Sequence, residues 1–375
     1  MVSSILLKYC KRKLVKVSIR YIRKKVSLGG VILSIFDLIE MAYQSHASDL
    51  HISDFSAWMR IQGQLVPIES VHMTFTDIED FLTQTLHPQE IQKFNKRKEI
   101  DASLVSPIGI RCRLHIYFQK GLPSLSIRLF SQEIPKPMDI GIPDILLNLI
   151  HQEQGLLLVA GPTGSGKTTT LASLLDHLNQ HDSLRIITLE DPIEYIHTPR
   201  RSMIEQREIG LDTESFLQGI RTALRQDPDV IYIGELRDYE TIHAAIRAAE
   251  AGRLVMATLH TGRAMSAIHR MIDAFPASKQ SQIRSQLAFG LIAVISQRLL
   301  PLRNSSHQRV AAFEVLLNTP AVSHLIRTDQ LHQIESLMQA GKGQGMQSLE
   351  TAYQQLIDAG LIDIDLDKGR MRYGS

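Results

Sequence analysis

The sequence contains little cysteine: Cys10 and Cys112 are the two thiols among 375 residues. Two cysteines cannot form a four-thiolate zinc site, and no C-x-x-C pair is present. We therefore expect free thiols in a reducing compartment. Long apolar runs are also missing, since none reaches the ~18 residues of a membrane helix, and the amino terminus lacks a signal-peptide pattern. These absences predict a cytoplasmic protein.

The chain carries little excess charge of either sign, with a formal net charge of +2. The distribution is uneven, because residues 1–30 hold nine Lys or Arg residues and no acidic residue. Subtracting +9 from +2 leaves the rest of the chain at about −7, without a basic stripe for nucleic acid, so no direct nucleic-acid partner is expected. We interpret residues 1–28 as a loose, disordered basic arm, with a helix on a membrane surface as the alternative.

Residues 29–130 mix helical and strand patterns and predict an α+β domain. Helices are predicted at 32–44 and 76–95, and strands at 49–53, 57–61, 65–68, 110–118 and 125–130. The last two strands form a predicted antiparallel hairpin with its apolar face inside. A proline-rich stretch at 131–143 is the predicted linker between domains.

In residues 144–375 the pattern changes, and predicted strands alternate with predicted helices. The candidate strands are mostly continuous apolar runs, which suit a parallel sheet covered on both faces. They lie at 156–160, 185–189, 230–233, 254–258 and 310–314. From residue 280 onward the pattern predicts mostly helix. The whole chain is therefore predicted to be an α/β protein of two domains.

One motif carries a specific chemistry. Residues 161–168 read Gly-Pro-Thr-Gly-Ser-Gly-Lys-Thr and match the P-loop pattern G-x-x-x-x-G-K-[ST], between an apolar strand and a helix. The glycines let backbone N–H groups surround phosphate oxygens, Lys167 reaches the β- and γ-phosphates, and the Thr168 hydroxyl binds Mg²⁺. ATP and Mg²⁺ are therefore the predicted cofactors. The predicted nucleotide-binding residues are Gly161, Pro162, Thr163, Gly164, Ser165, Gly166, Lys167, Thr168 and Thr169.

Acidic residues follow two of the predicted strands. Glu235 comes directly after one of them, where a carboxylate faces the ligand crevice of a parallel sheet and can hold Mg²⁺ or polarise the attacking water. Glu190, Asp191 and Glu194 cluster after another, and one of them is a candidate general base. Solvated acids without a catalytic role are the alternative in each case.

Histidine and arginine side chains provide two further candidates. His260 follows a predicted strand and is either a sensor of the γ-phosphate or a structural histidine. Arg111, Arg113 and Arg128 share the polar face of the predicted hairpin. A solvated charged face is one interpretation of these arginines. The other is that they balance transition-state charge, because ATP motors often receive an arginine from a neighbouring module.

Four sequence blocks together resemble the secretion and pilus motor ATPase superfamily. In chain order they are GPTGSGKTTTLASLL, ITLEDPIEYIH, DPDVIYIGELRD and TLHT. Further segments are similar to the twitching-motility retraction ATPases of type IV pili: ASDLHIS at 47–53, IEQRE at 204–208, SQRLLP at 296–301 and the tail at 333–352. The assembly and secretion branches usually carry a tetracysteine zinc insert and a longer amino-terminal module, and this sequence has neither.

This resemblance implies a homohexameric ATPase ring in which each subunit pairs a PAS-like amino-terminal domain with a RecA-like P-loop NTPase domain. It also implies a helical carboxy-terminal region. On family grounds Lys167 and Thr168 bind phosphate and Mg²⁺, and Glu235 takes the Walker B role as a metal-site residue. The other catalytic residues that it implies are Glu194 as the base, His260 in the histidine box, and Arg113 and Arg128 as charge-neutralising arginines.

The resemblance further implies that the motor powers pilus retraction at the inner face of the cell membrane. Its implied partners are the inner-membrane platform protein of the pilus and an assembly ATPase that acts in opposition. The alternatives within the superfamily are pilus assembly, type II secretion and DNA uptake. An alternative of another class is a nucleotide-binding regulatory ring without turnover.

Two positions depart from the family pattern. Arg253 stands where the family often has a histidine, which suggests that this position is not essential to hydrolysis. Residues 321–324 read Ala-Val-Ser-His, whereas the retraction branch has Ala-Ile-Arg-Asn. The sequence therefore supports ATP binding more firmly than it supports retraction.

Overall fold

The computed structural model describes residues 34–69, 71, 73–303 and 305–363, without the side chains of residues 305–307. The chain divides into two compact units between Gln132 and Glu133. The basic arm predicted at 1–28 lies outside the described residues. Within them, every helix is too short or too polar to cross a membrane.

The amino-terminal unit contains a six-stranded antiparallel sheet in the order β3-β2-β1-β6-β5-β4. Three helices accompany it among the described residues. The elements in chain order are α1 (Ile35–Gln44), β1 (Ala47–Ser53), β2 (Ser56–Ile61), β3 (Gln64–Pro67), α2 (Phe75–Thr85), α3 (Pro88–Arg97), β4 (Glu99–Val105), β5 (Arg111–Gln119) and β6 (Leu122–Leu129).

The single helix predicted at 76–95 is wrong, because the structure has two helices there. Helix α2 begins at a capping box in which Thr74 and Asp77 exchange hydrogen bonds, and it ends before Leu86. Pro88 then occupies the first turn of α3, where its missing N–H and fixed φ are tolerated. Proline cannot continue a preceding helix, and this is the physical reason for the break.

The predicted hairpin is confirmed as β5 and β6, which pair antiparallel with Arg113 opposite Arg128. Its apolar side is buried, and Cys112 is a buried free thiol on that side. Strand β4 was not predicted from the sequence, although Ile100, Ala102 and Leu104 alternate along it. Their partial burial and the acidic residues Glu99 and Asp101 weaken the pattern.

The carboxy-terminal unit is built on a seven-stranded sheet in the order β13-β12-β7-β11-β10-β8-β9. Its strands are β7 (Gly155–Ala160), β8 (Arg185–Glu190), β9 (Met203–Glu208), β10 (Val230–Ile233), β11 (Leu254–Leu259), β12 (Leu291–Leu302) and β13 (Ser305–Leu317). Its α-helices are α4 (Asp144–Leu149), α5 (Lys167–His181), α6 (Phe216–Ala223), α7 (Tyr239–Glu250), α8 (Ala264–Asp273), α9 (Ala277–Gly290), α10 (Pro320–Arg327), α11 (Ile334–Ala340) and α12 (Leu349–Asp358).

The four central parallel strands, β7, β8, β10 and β11, are buried on both faces, as predicted. Along β7, Leu156 and Leu158 belong to one apolar cluster and Leu157 and Val159 to another, and all four are essentially inaccessible to solvent. The first cluster includes residues of α6 to α11, and the second includes residues of α4 and α5. A strand covered in this way must be apolar at every position, which explains the continuous run.

The prediction that the chain is mostly helical from residue 280 onward is wrong for 291–309, whereas the strand predicted at 310–314 lies within β13. Residues 291–302 form β12, which pairs antiparallel with the long strand β13 at one side of the sheet and in parallel with β7. A long apolar run does not by itself distinguish a buried helix from a buried strand. The β-branched residues Ile292, Val294 and Ile295 favour the strand. Helices resume at α10, so the carboxy-terminal region beyond residue 320 is helical as expected.

Candidate functional site

The carboxyl ends of four adjacent strands form the candidate site. Strands β7, β11, β10 and β8 are neighbours and run parallel, so the loops that follow them meet at one edge of the sheet. The P-loop at 161–166 follows β7, and Glu194 follows β8. Glu235 follows β10, and His260 follows β11. Four segments that are far apart in the chain thereby come together.

Hydrogen bonds attach the neighbouring loops to the end of β11. The N–H of Gly161 donates to the carbonyl of Leu259 at 3.1 Å, and the N–H of Leu236 donates to the carbonyl of Thr258 at 3.0 Å. The Thr258 hydroxyl donates to the carbonyl of Gly234. The P-loop and the loop that carries Glu235 are therefore both held in register by the same strand.

Two glycines determine the path of the P-loop. Gly161 has φ +156° and Gly166 has φ +88°, a region of backbone conformation that side chains disfavour. A Cβ atom at Gly161 would lie 2.4 Å from the Ser165 hydroxyl, and one at Gly166 would lie 2.9 Å from the side-chain amide of Gln297. Gly166 also precedes Lys167, the first residue of α5, so the loop leads directly into the free N–H groups of a helix start.

The ammonium group of Lys167 is enclosed by its own loop. Its Nζ donates to the carbonyls of Gly161 at 2.8 Å and Pro162 at 3.1 Å, and the residue is 7% exposed. Burial lowers the pKa of Lys167, whereas the negative charges of Glu235 and Glu194 raise it. Both predicted catalytic acids therefore lie within electrostatic range of this lysine.

The imidazole of His260 connects Lys167 to Glu235. Lys167 Nζ lies 3.4 Å from His260 Nδ1, and His260 Nε2 lies 3.2 Å from Glu235 Oε2. The neutral tautomer with its proton on Nε2 satisfies both contacts, since Nδ1 then accepts from the ammonium and Nε2 donates to the carboxylate. The His260 side chain is 51% exposed, which leaves it accessible to a ligand.

Arg237 also belongs to the site, although it was not predicted from the sequence. Its guanidinium contacts Glu235 Oε1 and lies 3.9 Å from Asp191 Oδ2. It thereby links the loops after β10 and β8. The signal in the sequence was an arginine two residues after Glu235, the carboxylate that follows the buried strand β10.

The acids after β8 have different roles. Glu190 is 5% exposed and its Oε1 accepts from the Thr188 hydroxyl at 2.6 Å and from the Gln206 amide at 3.1 Å. Burial raises the pKa of Glu190, and these two hydrogen bonds oppose that rise. Glu190 is therefore part of the packed interior. Glu194 is half-buried, and its charge acts on Lys167, so it is the better placed of the two for chemistry.

Two polar side chains outside the motif fix the start of α5. The Thr170 hydroxyl donates to Gln297 Oε1 at 2.8 Å, and both residues are buried. The hydroxyls of Thr169 and Tyr195 lie 3.0 Å apart. Gln297 and Tyr195 were not predicted from the sequence, because nothing in the local pattern shows that β12 and the loop after β8 lie beside the P-loop.

The loop is suited to a bound phosphate chain. The Ser165 hydroxyl is buried without a hydrogen-bond partner among the described residues, so the loop retains a polar group that is not satisfied from within. Glycine at Gly161 and Gly166 keeps the backbone free of Cβ atoms, and Lys167 supplies a positive charge. These features together fit an anionic nucleotide.

The predicted arginines belong to the amino-terminal unit, where each lies near a carboxylate. Arg128 Nε donates to Asp49 Oδ1 at 3.1 Å, and Arg113 Nε lies 3.7 Å from Asp101 Oδ1. Their side chains are 63% and 45% exposed. Both are on the polar face of the hairpin, as predicted.

Arg253 stands at the opposite end of β11 from His260. The register pairs Leu254–Leu259 with Gly155–Ala160, so Arg253 lies beside the amino-terminal end of β7. At ~3.3 Å per residue this end is about 20 Å from the P-loop edge. Arg253 Nη2 lies 3.5 Å from Asp227 Oδ1 there. The Arg253 side chain therefore lies away from the candidate site.

Comparison with known proteins agrees with this geometry. The family model of type II/IV secretion system proteins matches residues 24–343. The chain is 41% identical to YggR, an uncharacterized protein of Escherichia coli K12, over 87% of this chain and 99% of YggR. It is 36% identical to the type IV pilus retractation ATPase PilT of Pseudomonas aeruginosa PAO1, over 88% and 96% of the two chains.

A solved structure of a relative has the same fold. The crystal structure of the pilus retraction motor PilT with bound ADP superimposes with a TM-score of 0.82 at 41% identity, covering 89% of this chain and 95% of that one. The sequence blocks, the fold and the constellation of Lys167, Glu235 and His260 lead to the same assignment. The chain belongs to the type II/IV secretion system protein family and is one of its ATPases.

Proposed function

We propose that this protein is a hexameric motor that hydrolyses ATP to power the retraction of a type IV pilus. The observation that carries the proposal is the direct link between Lys167, His260 and Glu235 at one edge of the sheet. Such a link places a phosphate-binding cation beside an acid suited to activating water or holding a metal. Similarity to retraction ATPases over most of the chain supports the choice of machine.

The residues of the site have different roles in hydrolysis. Backbone N–H groups of 161–168 and the Lys167 ammonium bind the phosphates, and Glu194 accepts a proton from the attacking water. His260 contacts the γ-phosphate end of the ligand and keeps Glu235 oriented through Nε2. Glu190 stays in the interior and takes no part in proton transfer.

Thr168 and Glu235 are the residues that would hold Mg²⁺. The described residues contain no cluster of three His, Cys, Asp or Glu side chains that could hold a metal ion. Mg²⁺ in nucleotide sites commonly takes only one or two protein ligands and completes its shell with phosphate and water, so this pair is a sufficient contribution. When bound, the ion neutralises charge on the β- and γ-phosphates.

Arg113 and Arg128 balance the charge that develops on the transferred phosphoryl group. Their exposure and their position on a single polar face support this part of the proposal. Replacing either with alanine is expected to lower kcat while the affinity for ADP stays within about twofold. An equal kcat in the variants would remove the arginines from the mechanism.

The proposed setting is a homohexamer at the cytoplasmic face of the inner membrane. Its partners there are the pilus platform protein and an assembly ATPase that acts in the opposite direction. The domain scheme that goes with this proposal is a basic arm at 1–28, a PAS-like domain at 29–130, a linker at 131–143 and a RecA-like ATPase domain at 144–375.

A Lys167→Ala substitution tests the hydrolysis. We expect steady-state ATPase activity to fall at least about 100-fold, because the alanine removes the cation that stabilises charge on the β- and γ-phosphates. Lys279→Ala changes an exposed lysine on α9 and serves as the matched control. Equal phosphate release by Lys167→Ala and wild type would refute the assignment of the site. Nucleotide binding by wild type without phosphate release would instead indicate a regulatory ring.

Deletion of the gene tests the direction of movement. Loss of a retraction motor is expected to leave cells with excess surface pili that no longer shorten. Loss of an assembly motor leaves no pili, and loss of a secretion or DNA-uptake motor leaves pilus number unchanged. Electron microscopy of deleted and complemented cells counts the pili directly.

A further inference from the structure

The loop that presents His260 is anchored at its far end as well as at β11. Residues 260–263 join β11 to α8, and the Ser296 hydroxyl donates to the carbonyl of Gly262 at 2.8 Å. The N–H of Ala264, the first residue of α8, donates to Glu314 Oε2 at 2.6 Å. Glu314 is 4% exposed and caps this helix, since Arg263 provides no side-chain cap of its own.

Arg263 joins this anchor to the last helix of the described chain. Its Nη1 lies 3.5 Å from Glu314 Oε1, and its Nη2 donates to Glu350 Oε1. Glu350 lies in the first turn of α12. Helix α12 in turn packs through Leu349, Ala352 and Tyr353 against residues of β12 and β13.

Electrostatic attraction holds the guanidinium of Arg263 between two carboxylates, those of Glu314 and Glu350. The hydrogen bond from Arg263 lowers the pKa of Glu350. Burial raises the pKa of Glu314, and the Ala264 N–H and the charge of Arg263 oppose that rise. A buried carboxylate beside a guanidinium is costly to separate from it, because the remaining charge would be left unpaired.

We propose that Arg263 is a positioning residue for ATP hydrolysis, because it ties α12 to the short loop that aims His260 at the nucleotide. Four residues span the distance from β11 to α8, so a shift at Arg263 moves His260. The position of α12 against β12 and β13 therefore determines the geometry of the Lys167–His260–Glu235 link. A partner that displaces α12 would change turnover without touching the nucleotide.

The inference rests on ATP hydrolysis by this chain and is independent of the polymer that the motor moves. Wild-type turnover is measured first, so a failure of the ATPase assignment is seen separately. A residue that only holds the fold together would alter stability and nucleotide binding along with kcat. A positioning residue lowers kcat and leaves the affinity for ADP unchanged.

The experiment compares Arg263→Gln, Arg263→Lys, Glu350→Gln and the double variant Arg263→Gln/Glu350→Gln in the full-length protein. We expect Arg263→Gln to lower kcat about tenfold with KM for ATP and Kd for ADP within about twofold. Arg263→Lys is expected to recover kcat to within about threefold of wild type. The double variant is expected to lose no more than Arg263→Gln, because both substitutions break the same link.

The matched control is Arg270→Gln, which removes an exposed arginine from α8, the helix that follows Arg263. If Arg263→Gln does not fold, Glu350→Gln carries the test, since it removes only a half-exposed carboxylate. A kcat within twofold of wild type in Glu350→Gln, together with Arg263→Gln where it folds, overturns the proposal. The proposal is also overturned if the fold-losses in kcat of the two single variants multiply in the double variant. A rise in the Kd for ADP that accounts for the lower rate overturns it as well.

Discussion

Single residues at this site differ sharply in what surrounds them, and Glu190 and Glu194 show this best. They are four positions apart and carry the same functional group. Glu190 is packed among hydrogen-bond donors inside the sheet, whereas Glu194 is half-buried and acts on Lys167. The sequence places both in one acidic cluster, and only their burial separates a structural acid from a catalytic candidate.

Replacement of Glu190 by glutamine is expected to stabilise the protein at high pH. A carboxyl whose pKa is raised by burial binds more protons in the folded than in the unfolded state, so its contribution falls as pH rises through the folded pKa. The amide oxygen of Glu190→Gln accepts the same two hydrogen bonds and does not ionise. Each kcal/mol recovered raises the unfolding midpoint by about 2–4 °C.

Thermal melts across a pH series check this expectation. The gain of Glu190→Gln over wild type should be largest at alkaline pH and should vanish as pH falls toward the ordinary value of 4.5. Glu153→Gln, at an exposed acid, is the control and should show no such gain. A difference in melting temperature between wild type and Glu190→Gln that stays constant with pH would contradict a raised pKa for Glu190.

At the scale of elements, the P-loop depends on its glycines for two separate reasons. Gly166 has φ +88°, and a Cβ atom there would press on Gln297 at 2.9 Å. Gly210 has nearly the same backbone angle, φ +87°, but a Cβ atom there would meet no other atom within 4 Å. Substitutions at Gly166 and Gly210 therefore distinguish the cost of backbone strain, which both share, from the steric clash, which occurs only at Gly166.

We expect Gly166→Ala to weaken ADP binding at least about tenfold, which corresponds to ~1.4 kcal/mol. Gly210→Ala bears the same cost of positive φ, about 1–2 kcal/mol of stability, but should keep the affinity within about twofold. Isothermal titration of both variants with ADP provides the comparison. An unchanged affinity in Gly166→Ala would show that the loop tolerates a side chain.

The two ends of strand β11 are expected to differ in function. His260 lies at the P-loop edge, and Arg253 lies near the other end of the strand. We expect His260→Ala to lower kcat by about 100-fold, because it removes the group between Lys167 and Glu235. Arg253→Ala should keep kcat within about twofold. Steady-state phosphate release measures both, and a large loss in Arg253→Ala would contradict this division of the strand.

At the scale of the whole molecule, the proposed ring makes a simple prediction about mass. One chain has a mass of 42.2 kDa, so six chains give about 253 kDa. We expect light scattering coupled to size-exclusion chromatography to show this species in the presence of nucleotide. A mass that stays at one chain over a wide concentration range would contradict the ring.

Much of the fold followed from local patterns. The antiparallel hairpin, the five predicted strands of the second unit and the P-loop all appear within a few residues of their expected positions. The errors have physical causes: Pro88 divides a predicted helix, and the apolar run at 291–302 suits a buried strand as well as a buried helix. Strand β9 was missed because charged residues interrupt its apolar pattern.

The sequence by itself determined the nucleotide-binding loop. A P-loop is formed by consecutive residues, so its backbone angles and its phosphate-binding groups are set by the local sequence. The tertiary structure alone decided which distant groups complete it. Lys167 meets His260 from 93 positions away, Thr170 meets Gln297 from 127, and Arg263 meets Glu350 from 87. These contacts follow from the order of strands in the sheet, which differs from their order in the chain. Hydrogen bonds between such elements form only when the whole sheet assembles, so no local pattern predicts them.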